Sequence, residues 1–553
     1  MSLRLVSYAN TFWAGTGENG GVMPDETTLT ATDLELGAFS DNPPWLITSD
    51  PMRWQAAVPR LRAEAKALVP VLTTPGKYPP GARVLTVIGQ GAAALAPWFV
   101  LKKTGRLSTA EASRADVSKR LRLAVERLGP TFIKLGQIIS SGQGLFPEEL
   151  VSEFKRCRDQ VPAEPFDHVR SVVEADLGQT LEEVFEWFDR TPLAAASIAQ
   201  VHAATLKTGE SVVVKVQRPD VEKMVRKDLR TLAWLAPYLI GRIKVAALAN
   251  PPALVELFAE TITEELDFRI EAQNMLDVAK VLVDLEQRGY VVPRPHPTLV
   301  AKRVLVMERL AGFAFDDAVA IKAAGIDTHA VIRTGMIAFL EGAMIHGIFH
   351  GDLHGGNLFV MADGRTAMLD FGITARLSPA RRTAFLRMLL GGMANDIKTQ
   401  IQALIDLGAL PTDTDIDQVI IDLRLNEAVI DPTTLSGEEL VAEVQRVVKA
   451  MLGYGAKLPK ELMLYVKNLV FLDGAIAALA PDLDLIGEVQ SIAMTFATKY
   501  GNQLAAEMGM GDTFKVDMTG FKASLGLEAD VPGITYRELQ QRRDLINRRM
   551  RNR

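Results

Sequence analysis

Two stretches of the sequence decide the fold: residues 350–360, His-Gly-Asp-Leu-His-Gly-Gly-Asn-Leu-Phe-Val, and residues 367–372, Ala-Met-Leu-Asp-Phe-Gly. Asp352 and Asn357 lie five residues apart on a loop that contains glycine, so both side chains can face one phosphate. The apolar residues that follow predict a hairpin, which returns Asp370 to the same point. Phosphoryl transfer needs a carboxylate to accept a hydroxyl proton and oxygen ligands for magnesium. These three side chains supply both.

Other interpretations of this stretch are weaker. Taken singly, an Asp before Gly usually marks a turn, and an Asn before a strand usually caps a loop. The alternative metal centre is a zinc site made by His346, His350 and His354, which are spaced four apart as on one helical face. The glycines between and after these histidines oppose the helix that such a site needs.

A lysine for the phosphates is expected upstream. Residues 199–206 and 211–216 are short and rich in β-branched residues, and the turn between them contains Gly209, so they predict a β-hairpin. Lys215 lies near the end of the second strand, where an ionised amine requires a carboxylate partner. We expect Glu265, in a helical pattern with several acids, to be that partner. The alternative is that these acids form a solvated helix face.

Composition limits the other classes of function. At about 150 residues per domain, 553 residues suggest three or four folding units. A hydrophobic content of 48% is ordinary for a globular protein, and a net charge of −6 gives no general attraction to nucleic acid. Cys157 is the sole cysteine, which excludes an internal disulfide and a thiolate-rich metal site. A reducing compartment fits best, and residues 1–21 show no export signal.

Two segments suggest contact with a membrane. The apolar run 84–101 ends at Lys102 and Lys103, but it is barely long enough to span a bilayer and contains glycine and proline, so a buried or interfacial helix is favoured. The tail 537–553 carries seven arginines, and a basic helix can lie on anionic lipid. A solvated or self-associating terminal helix is the alternative. We expect a cytoplasmic protein with peripheral attachment at the inner face of the membrane.

The order of Lys215, a helix glutamate, Asp352, Asn357 and Asp370 is that of protein kinases, and further motifs make the chain resemble the UbiB/AarF family of atypical kinases. Residues 132–137 contain Lys134-Leu-Gly136-Gln137, which resembles the family's Lys-x-Gly-Gln motif. Residues 194–202 resemble its alanine-rich loop, and Glu265-Leu-Asp267 resembles its Glu-x-Asp motif. The resemblance covers about residues 110 to 480.

The resemblance implies ATP and Mg²⁺ as cofactors, with Asn357 and Asp370 as metal ligands and Asp352 as the catalytic base. Lys215 and Glu265 would complete the catalytic set. The implied nucleotide contacts are Lys215, Ala194, Ala195, Ala196, Ser197, Glu308 and Leu310. The implied regulatory residues, which would occlude the cleft, are Lys134, Gly136, Gln137 and Asp267. Gly351 replaces the arginine of the usual His-Arg-Asp, and no Ala-Pro-Glu string follows Gly372, so a peptide-docking segment is not expected.

The predicted fold is α+β, a bilobal protein-kinase-like fold that is mostly helical. The predicted domains are a partly disordered leader (1–80), a helical extension carrying the Lys-x-Gly-Gln motif (81–190), a small β-sheet N-lobe (191–312), a helical C-lobe with the catalytic loop (313–500) and a basic tail (501–553).

The predicted function is that of an ATP-dependent atypical kinase or ATPase that supports ubiquinone biosynthesis or other lipid metabolism, as the resemblance implies. The alternative is a nucleotide-binding pseudokinase scaffold without phosphotransfer. A lipid or quinone-precursor ligand and a homodimer are further expectations, and nucleic acid is not expected as a partner.

Overall fold

The structure is a computed structural model, and it divides into two compact units. Unit 1 comprises residues up to Phe315 together with Asp352–Thr374, and unit 2 comprises Asp316–Gly351 and the chain from Ala375 onward. The structure describes residues 38–47, 51–107, 109–140, 147–156, 162–239, 251–393, 396–425, 453–456, 459–508, 522, 531 and 533–551.

Unit 1 begins with helices that the sequence only partly revealed. Their bounds are α1 (Val58–Thr73), α2 (Arg83–Lys103), α3 (Ala110–Leu128), α4 (Pro130–Ser140), α5 (Glu148–Phe154), α6 (Phe166–Leu177) and α7 (Leu181–Val184). The break between α3 and α4 falls at Pro130, as predicted. Gly129 supplies the positive φ there, +100°, which residues with a side chain rarely adopt.

Helix α1 overturns part of the predicted leader. Its Pro59 lies in the first turn, where a missing N–H costs nothing, and Val69 and Leu72 are buried against the rest of unit 1. A residue before α1 is also hydrogen-bonded to the rest of unit 1: Ala38 donates its N–H to the carbonyl of Ala279, and its own carbonyl accepts the N–H of Val292. The prediction of a poorly structured segment is therefore wrong for 38–47 and 58–73. Residues 1–37 lie outside the described part of the chain.

The main sheet of unit 1 carries Lys215. Its strands are β1 (Phe185–Phe188), β2 (Ala194–Ala195), β3 (Ala199–Leu206), β4 (Ser211–Gln217), β6 (Pro295–Val300) and β7 (Val304–Glu308), with β5 (Tyr290–Val291) in a second sheet. The order is β1-β3-β4-β7-β6, with β2 on β3. The predicted hairpin is confirmed, since β3 and β4 pair in antiparallel register. Alternating valines of β4 fill the core beneath the sheet, which fixes the register and the position of Lys215.

Three helices connect the strands: α8 (Val221–Leu239), α9 (Pro251–Glu264) and α10 (Phe268–Asp284). The apolar pattern from Pro252 to about Gln287 predicts one long helix in place of α9 and α10. That prediction is wrong, because Asp267 adopts an extended backbone and its side chain accepts the N–H of Arg269, which starts a new helix. The break moves Glu265 off both helices. The pattern also predicts a helix over residues 221–244, of which 240–244 lie outside the described residues.

The second sheet of unit 1 contains the hairpin predicted from residues 350–372. Its order is β5-β11-β10-β8, where β8 is Phe313–Ala314, β10 is Leu358–Val360 and β11 is Thr366–Met368. Leu358 pairs with Met368, and Leu369 donates its N–H to Asn357. This register places Asn357 and Asp370 at the same end of the hairpin.

Unit 2 is mainly helical in its described part, as predicted. Its elements are α11 (Ala318–Ala323), α12 (Thr328–Glu341), β9 (Ile348–His350), β12 (Thr374–Arg376), which begins at the unit boundary, α13 (Pro379–Met393), α14 (Ile397–Asp406), α15 (Ile416–Asp422), α16 (Lys460–Leu479), α17 (Leu485–Met508) and α18 (Tyr536–Arg551). The whole is α+β and mostly helical, which confirms the predicted class. The domain boundaries proposed from the sequence stay predictions.

Candidate active site

Lys215 is the centre of a buried ionic cluster in unit 1. Its Nζ atom lies 2.6 Å from Oε1 of Glu271 and 3.0 Å from Oδ2 of Asp370, and it also lies over the ring of Phe268. Burial would lower the pKa of the lysine, but the two carboxylates outweigh it and raise that pKa above its ordinary value. Lys215 therefore stays charged.

The partner of Lys215 is Glu271, and the predicted pairing with Glu265 is wrong. Because the helix breaks at Asp267, Glu265 falls in the connection before α10, while Glu271 lies in the first turn of that helix. A sequence signal for Glu271 existed. It precedes Met275, Val278 and Leu282 by four, seven and eleven residues, so it shares their buried helix face. An acid on an apolar face requires a buried cation.

Asp370 is held in its ionised form. Burial would raise the pKa of this carboxyl, but Lys215 and Lys134 lower it to about 2. Its Oδ1 accepts the N–H of Gly372 at 2.8 Å. A Cβ at Gly372 would lie 3.1 Å from that oxygen and 3.5 Å from Cγ of Glu265, so a larger residue there would press on the Asp370 carboxylate. The other oxygen contacts Lys215, and 40% of the Asp370 side chain is exposed.

The loop between Asp352 and Asn357 brings two further polar groups to this place. Asn357 donates from Nδ2 to the carbonyl of Asp352 at 3.1 Å, which directs its Oδ1 away from that contact. A short 3₁₀ turn, Gly355–Asn357, begins at His354, whose Nδ1 accepts the N–H of Gly356. The alternative zinc site at His346, His350 and His354 is not formed. No group of three or more His, Cys, Asp or Glu side chains suited to a metal occurs among the described residues.

Lys134 enters the same cluster from α4. Its Nζ lies 3.0 Å from Oε1 of Glu265 and 3.9 Å from Oδ2 of Asp352. Burial raises the pKa of Glu265, and the Lys134 cation opposes this rise. The predicted inward orientation of Lys134 agrees with these contacts. Gly136 is buried and Gln137 half-buried on the same helix, whereas Asp267 caps α10 and pairs with Arg269 at 2.6 Å.

The alanine-rich loop is fastened by a residue that sequence reasoning missed. Ala194 and Ala195 form β2, and Ala196 donates to the carbonyl of Ala199. Arg218 donates from Nε to the carbonyl of Ala196 and from its N–H to the carbonyl of Ile198. Ser197 is buried within this turn. The Arg-Pro dipeptide after the lysine strand was the available signal.

Glu308 and Leu310 lie at the far end of β7 from the lysine. Leu305 pairs with Lys215, and Glu308 is three residues further along, roughly 10 Å at the rise of a strand. This is about the span from the phosphates of a nucleotide to its base. The Glu308 carboxylate contacts Arg294 at 3.2 Å and Ser40, and the Glu308 N–H donates to the carbonyl of Arg294, so both groups are already engaged within the protein.

The donor set fits a magnesium–nucleotide complex. Mg²⁺ in such sites is held by one or two protein oxygens, with phosphates and water completing its octahedron. Asp370 offers a carboxylate and Asn357 an amide oxygen at the same end of one hairpin, and Lys215 offers a fixed positive charge beside them. A zinc-type site would need more protein ligands than the described residues bring together.

Comparisons with known proteins agree with this geometry. Residues 156–404 match the family model of the ABC1 atypical kinase-like domain. The chain is 35% identical over 391 residues to an uncharacterized protein of Mycobacterium tuberculosis, covering 70% of this chain and 79% of that protein. It is 32% identical over 401 residues to a probable protein kinase UbiB of Marinobacter nauticus, covering 72% and 71%. An uncharacterized aarF domain-containing protein kinase of Arabidopsis thaliana is 32% identical over 396 residues, covering 66% and 72%.

Proposed function

This chain belongs to the ABC1 atypical kinase-like family that includes UbiB and AarF domain-containing protein kinases, and on that premise we propose that it binds ATP with Mg²⁺ and cleaves or transfers the γ-phosphoryl group. The observation that carries the proposal is the pairing of Lys215 with both Glu271 and Asp370. A buried lysine between two carboxylates, one of them at a hairpin end beside an asparagine, is the arrangement that phosphoryl transfer requires.

Each residue has a definite task in this proposal. Lys215 holds a positive charge beside the phosphates, and Glu271 fixes the direction of its amine. Asp370 and Asn357 would hold the magnesium ion, which supplies charge neutralisation of the phosphates when bound. Asp352 accepts the proton of the attacking hydroxyl or water. Arg218 keeps the alanine-rich loop in one conformation through its hydrogen bonds to the carbonyls of Ala196 and Ile198.

The alternative is a pseudokinase scaffold that binds nucleotide without turnover. The contact of Lys134 with Glu265 and its approach to Asp352 support this alternative, because a cation at this place competes with a substrate for the base. The presence of Asp352 favours phosphoryl transfer, because a scaffold that only binds nucleotide does not need a catalytic base. We therefore retain the enzyme as the first proposal.

Phosphate release from ATP tests the choice. The purified full-length chain and Asp352→Asn are compared, with Asp363→Asn, an exposed carboxylate that pairs with Arg365, as the matched control. The enzyme predicts a loss of about 10²-fold or more in Asp352→Asn and none in the control. Turnover that Asp352→Asn leaves unchanged, or none above background in the wild type with and without lipid, would favour the scaffold.

We also propose that the protein works at the inner face of a membrane on a lipid or quinone-precursor substrate. By length and composition, α2 and α16 could span a membrane, and 11% of the α2 window is buried against 44% for α16. In α2, Leu85, Ile88, Leu95 and Phe99 follow one face and are exposed. This helix contains no acidic residue and ends in Lys102 and Lys103, which suits anionic lipid.

The basic tail is a weaker candidate for the same contact. Arg537 and Arg543 on α18 pair with Asp482 and Asp473 within unit 2, so part of its charge is already neutralised. Flotation with phosphatidylglycerol vesicles tests the α2 surface. Leu85→Gln/Phe99→Gln is expected to abolish flotation, while Val319→Gln, which alters an exposed apolar residue of unit 2, leaves it unchanged. Equal flotation of both variants would contradict the α2 surface.

A further inference from the structure

Helix α1 contains none of the residues placed in the proposed active site, but it is connected to the metal-binding loop through the buried side-chain amide of Asn274. Arg62 donates from Nη2 to Oδ1 of Asn274 at 2.8 Å, and Asn274 donates from Nδ2 to the carbonyl of Phe371 at 2.9 Å. Asn274 is 4% exposed and lies on α10. Phe371 directly follows Asp370. Two hydrogen bonds thus connect a helix near the start of the described chain to the peptide beside the proposed magnesium ligand.

The peptide of Phe371 is held at both of its polar atoms by one face of α10. Oε1 of Glu271 accepts the N–H of Phe371 at 3.4 Å, and Asn274 holds the carbonyl. Glu271 and Asn274 are three residues apart, and side chains at this spacing share a helix face. The phenyl ring is fully buried, so Phe371 cannot rotate away. Because Asp370 is joined to this peptide, its position is fixed with it.

Arg62 decides which way the amide of Asn274 points. An asparagine amide has an acceptor side and a donor side, and rotation by half a turn exchanges them. Arg62 carries donors only, so it binds the oxygen and leaves the NH₂ group directed at Phe371. Loss of Arg62 removes this selection and allows the amide to present its oxygen to the Phe371 carbonyl, which is repulsive. The Arg62 guanidinium also lies 3.3 Å from Oδ2 of Asp277, and this ion pair holds the guanidinium against α10.

We propose that Arg62 is a positioning residue for the metal-binding loop, acting through Asn274 on the Phe371 carbonyl, and that it lowers the magnesium concentration needed for nucleotide binding. The inference rests on the proposed function, because it assigns Asp370 to magnesium. It gives α1 a role in the site instead of a role in packing alone.

Four variants separate positioning from packing. Arg62→Met removes the donors and keeps the stem. Asn274→Asp retains an acceptor for Arg62 and removes the donor to Phe371, so α1 stays docked while the loop contact is lost. Lys280→Ala removes an exposed ion pair with Asp284 on the same helix and serves as the control. Arg62→Lys restores a donor and a charge.

Magnesium dependence of ATP binding is the measurement, with amide hydrogen exchange of residues 369–374 in the metal-free protein as a second readout. Arg62→Met and Asn274→Asp are expected to raise the half-saturating magnesium concentration about 5- to 10-fold and to speed exchange, while Lys280→Ala changes neither and Arg62→Lys restores part of both. Magnesium dependence and exchange in Arg62→Met and Asn274→Asp equal to those of the control would overturn this inference alone. A wild type that binds no ATP at any magnesium concentration would overturn the proposed function as well.

Discussion

Lys134 on α4 places its Nζ atom 3.0 Å from Oε1 of Glu265, in the interior of unit 1. The Glu265 carboxylate is 6% exposed and lies beside Asp352 and Asp370, which also carry negative charge. The Lys134 cation therefore offsets the negative charge of the carboxyl groups that lie closest together in the site. Lys134 belongs to the Lys-x-Gly-Gln motif, which the family resemblance implies occludes the cleft. In the structure Lys134 also acts electrostatically, through its contact with Glu265.

Replacement of Lys134 by Met is expected to destabilise unit 1 by about 3 kcal/mol, because it leaves a buried carboxylate without its partner. The measurement is urea unfolding followed by tryptophan fluorescence. Lys134→Met/Glu265→Gln should recover most of the loss, since the buried charge is then absent. A double variant no more stable than Lys134→Met would contradict the pairing.

The correction from Glu265 to Glu271 yields a direct comparison. Glu271→Gln removes a charge that orients Lys215 and is expected to weaken ATP binding about 10-fold, the effect of losing a charge-assisted hydrogen bond of roughly 1.4 kcal/mol. Glu265→Gln changes an acid next to Lys134. It should weaken the free energy of ATP binding by less than half as much as Glu271→Gln does. Equal losses would indicate that both acids serve Lys215.

Glu271 makes a contribution to the stability of the protein that falls as pH rises from about 4.5 to 7, and His296, whose pKa burial lowers to about 4, makes one that increases over much of the same range. Burial raises the pKa of Glu271 to about 7, although Lys215 opposes the rise. A carboxyl with a raised pKa binds its proton more tightly in the folded state, so its contribution is present below the unfolded pKa and lost as pH approaches 7. The contribution is on the order of 3 kcal/mol.

Glu271→Gln provides the comparison for this pH dependence. The glutamine cannot titrate, so the difference in unfolding temperature between the wild type and the variant should change between pH 4.5 and 7, while the contribution of His296 is common to both proteins. Parallel profiles for the two proteins across this range would refute the assignment to Glu271.

Gly372→Ala tests the space around the metal ligand. The added methyl group would lie 3.1 Å from Oδ1 of Asp370, so the carboxylate or the backbone must shift. We expect a destabilisation of about 1–3 kcal/mol and weaker magnesium binding, which an increase in ATP does not restore. Gly474→Ala, at a helical position with nothing within 4 Å, should be neutral or stabilising. Magnesium binding that survives Gly372→Ala unchanged would argue against Asp370 as ligand.

Local pattern was sufficient to predict the hairpins and the residues at their ends. The β-branched run 211–216 and the spacing of Asp352, Asn357 and Asp370 each describe a short segment, and alternation sets which side faces the core. The structure then brings Lys215 and Asp370 within 3.0 Å. That juxtaposition was predicted from the order of the motifs, which the family match supports.

The remaining contacts depend on features that no local pattern records. Glu265 was chosen because α9 and α10 were taken as one helix, and the capping geometry of Asp267 that separates them became visible only with its extended backbone. Helix α1 was missed because residues 1–80 show few periodic apolar patterns and contain turn-forming residues such as Pro43, Pro44, Pro79 and Pro80. Arg62 and Asn274 are 212 residues apart, so nothing in either neighbourhood announces their contact.

Calorimetric titration of ATP into the purified chain, with Mg²⁺ and with EDTA, tests the central claim that Lys215 and Asp370 serve one magnesium–triphosphate. The account predicts binding that requires Mg²⁺ and that falls at least 10-fold in Lys215→Met and in Asp370→Asn, while the Asp363→Asn control binds as the wild type does. ATP binding that is indifferent to EDTA and to both substitutions would contradict it.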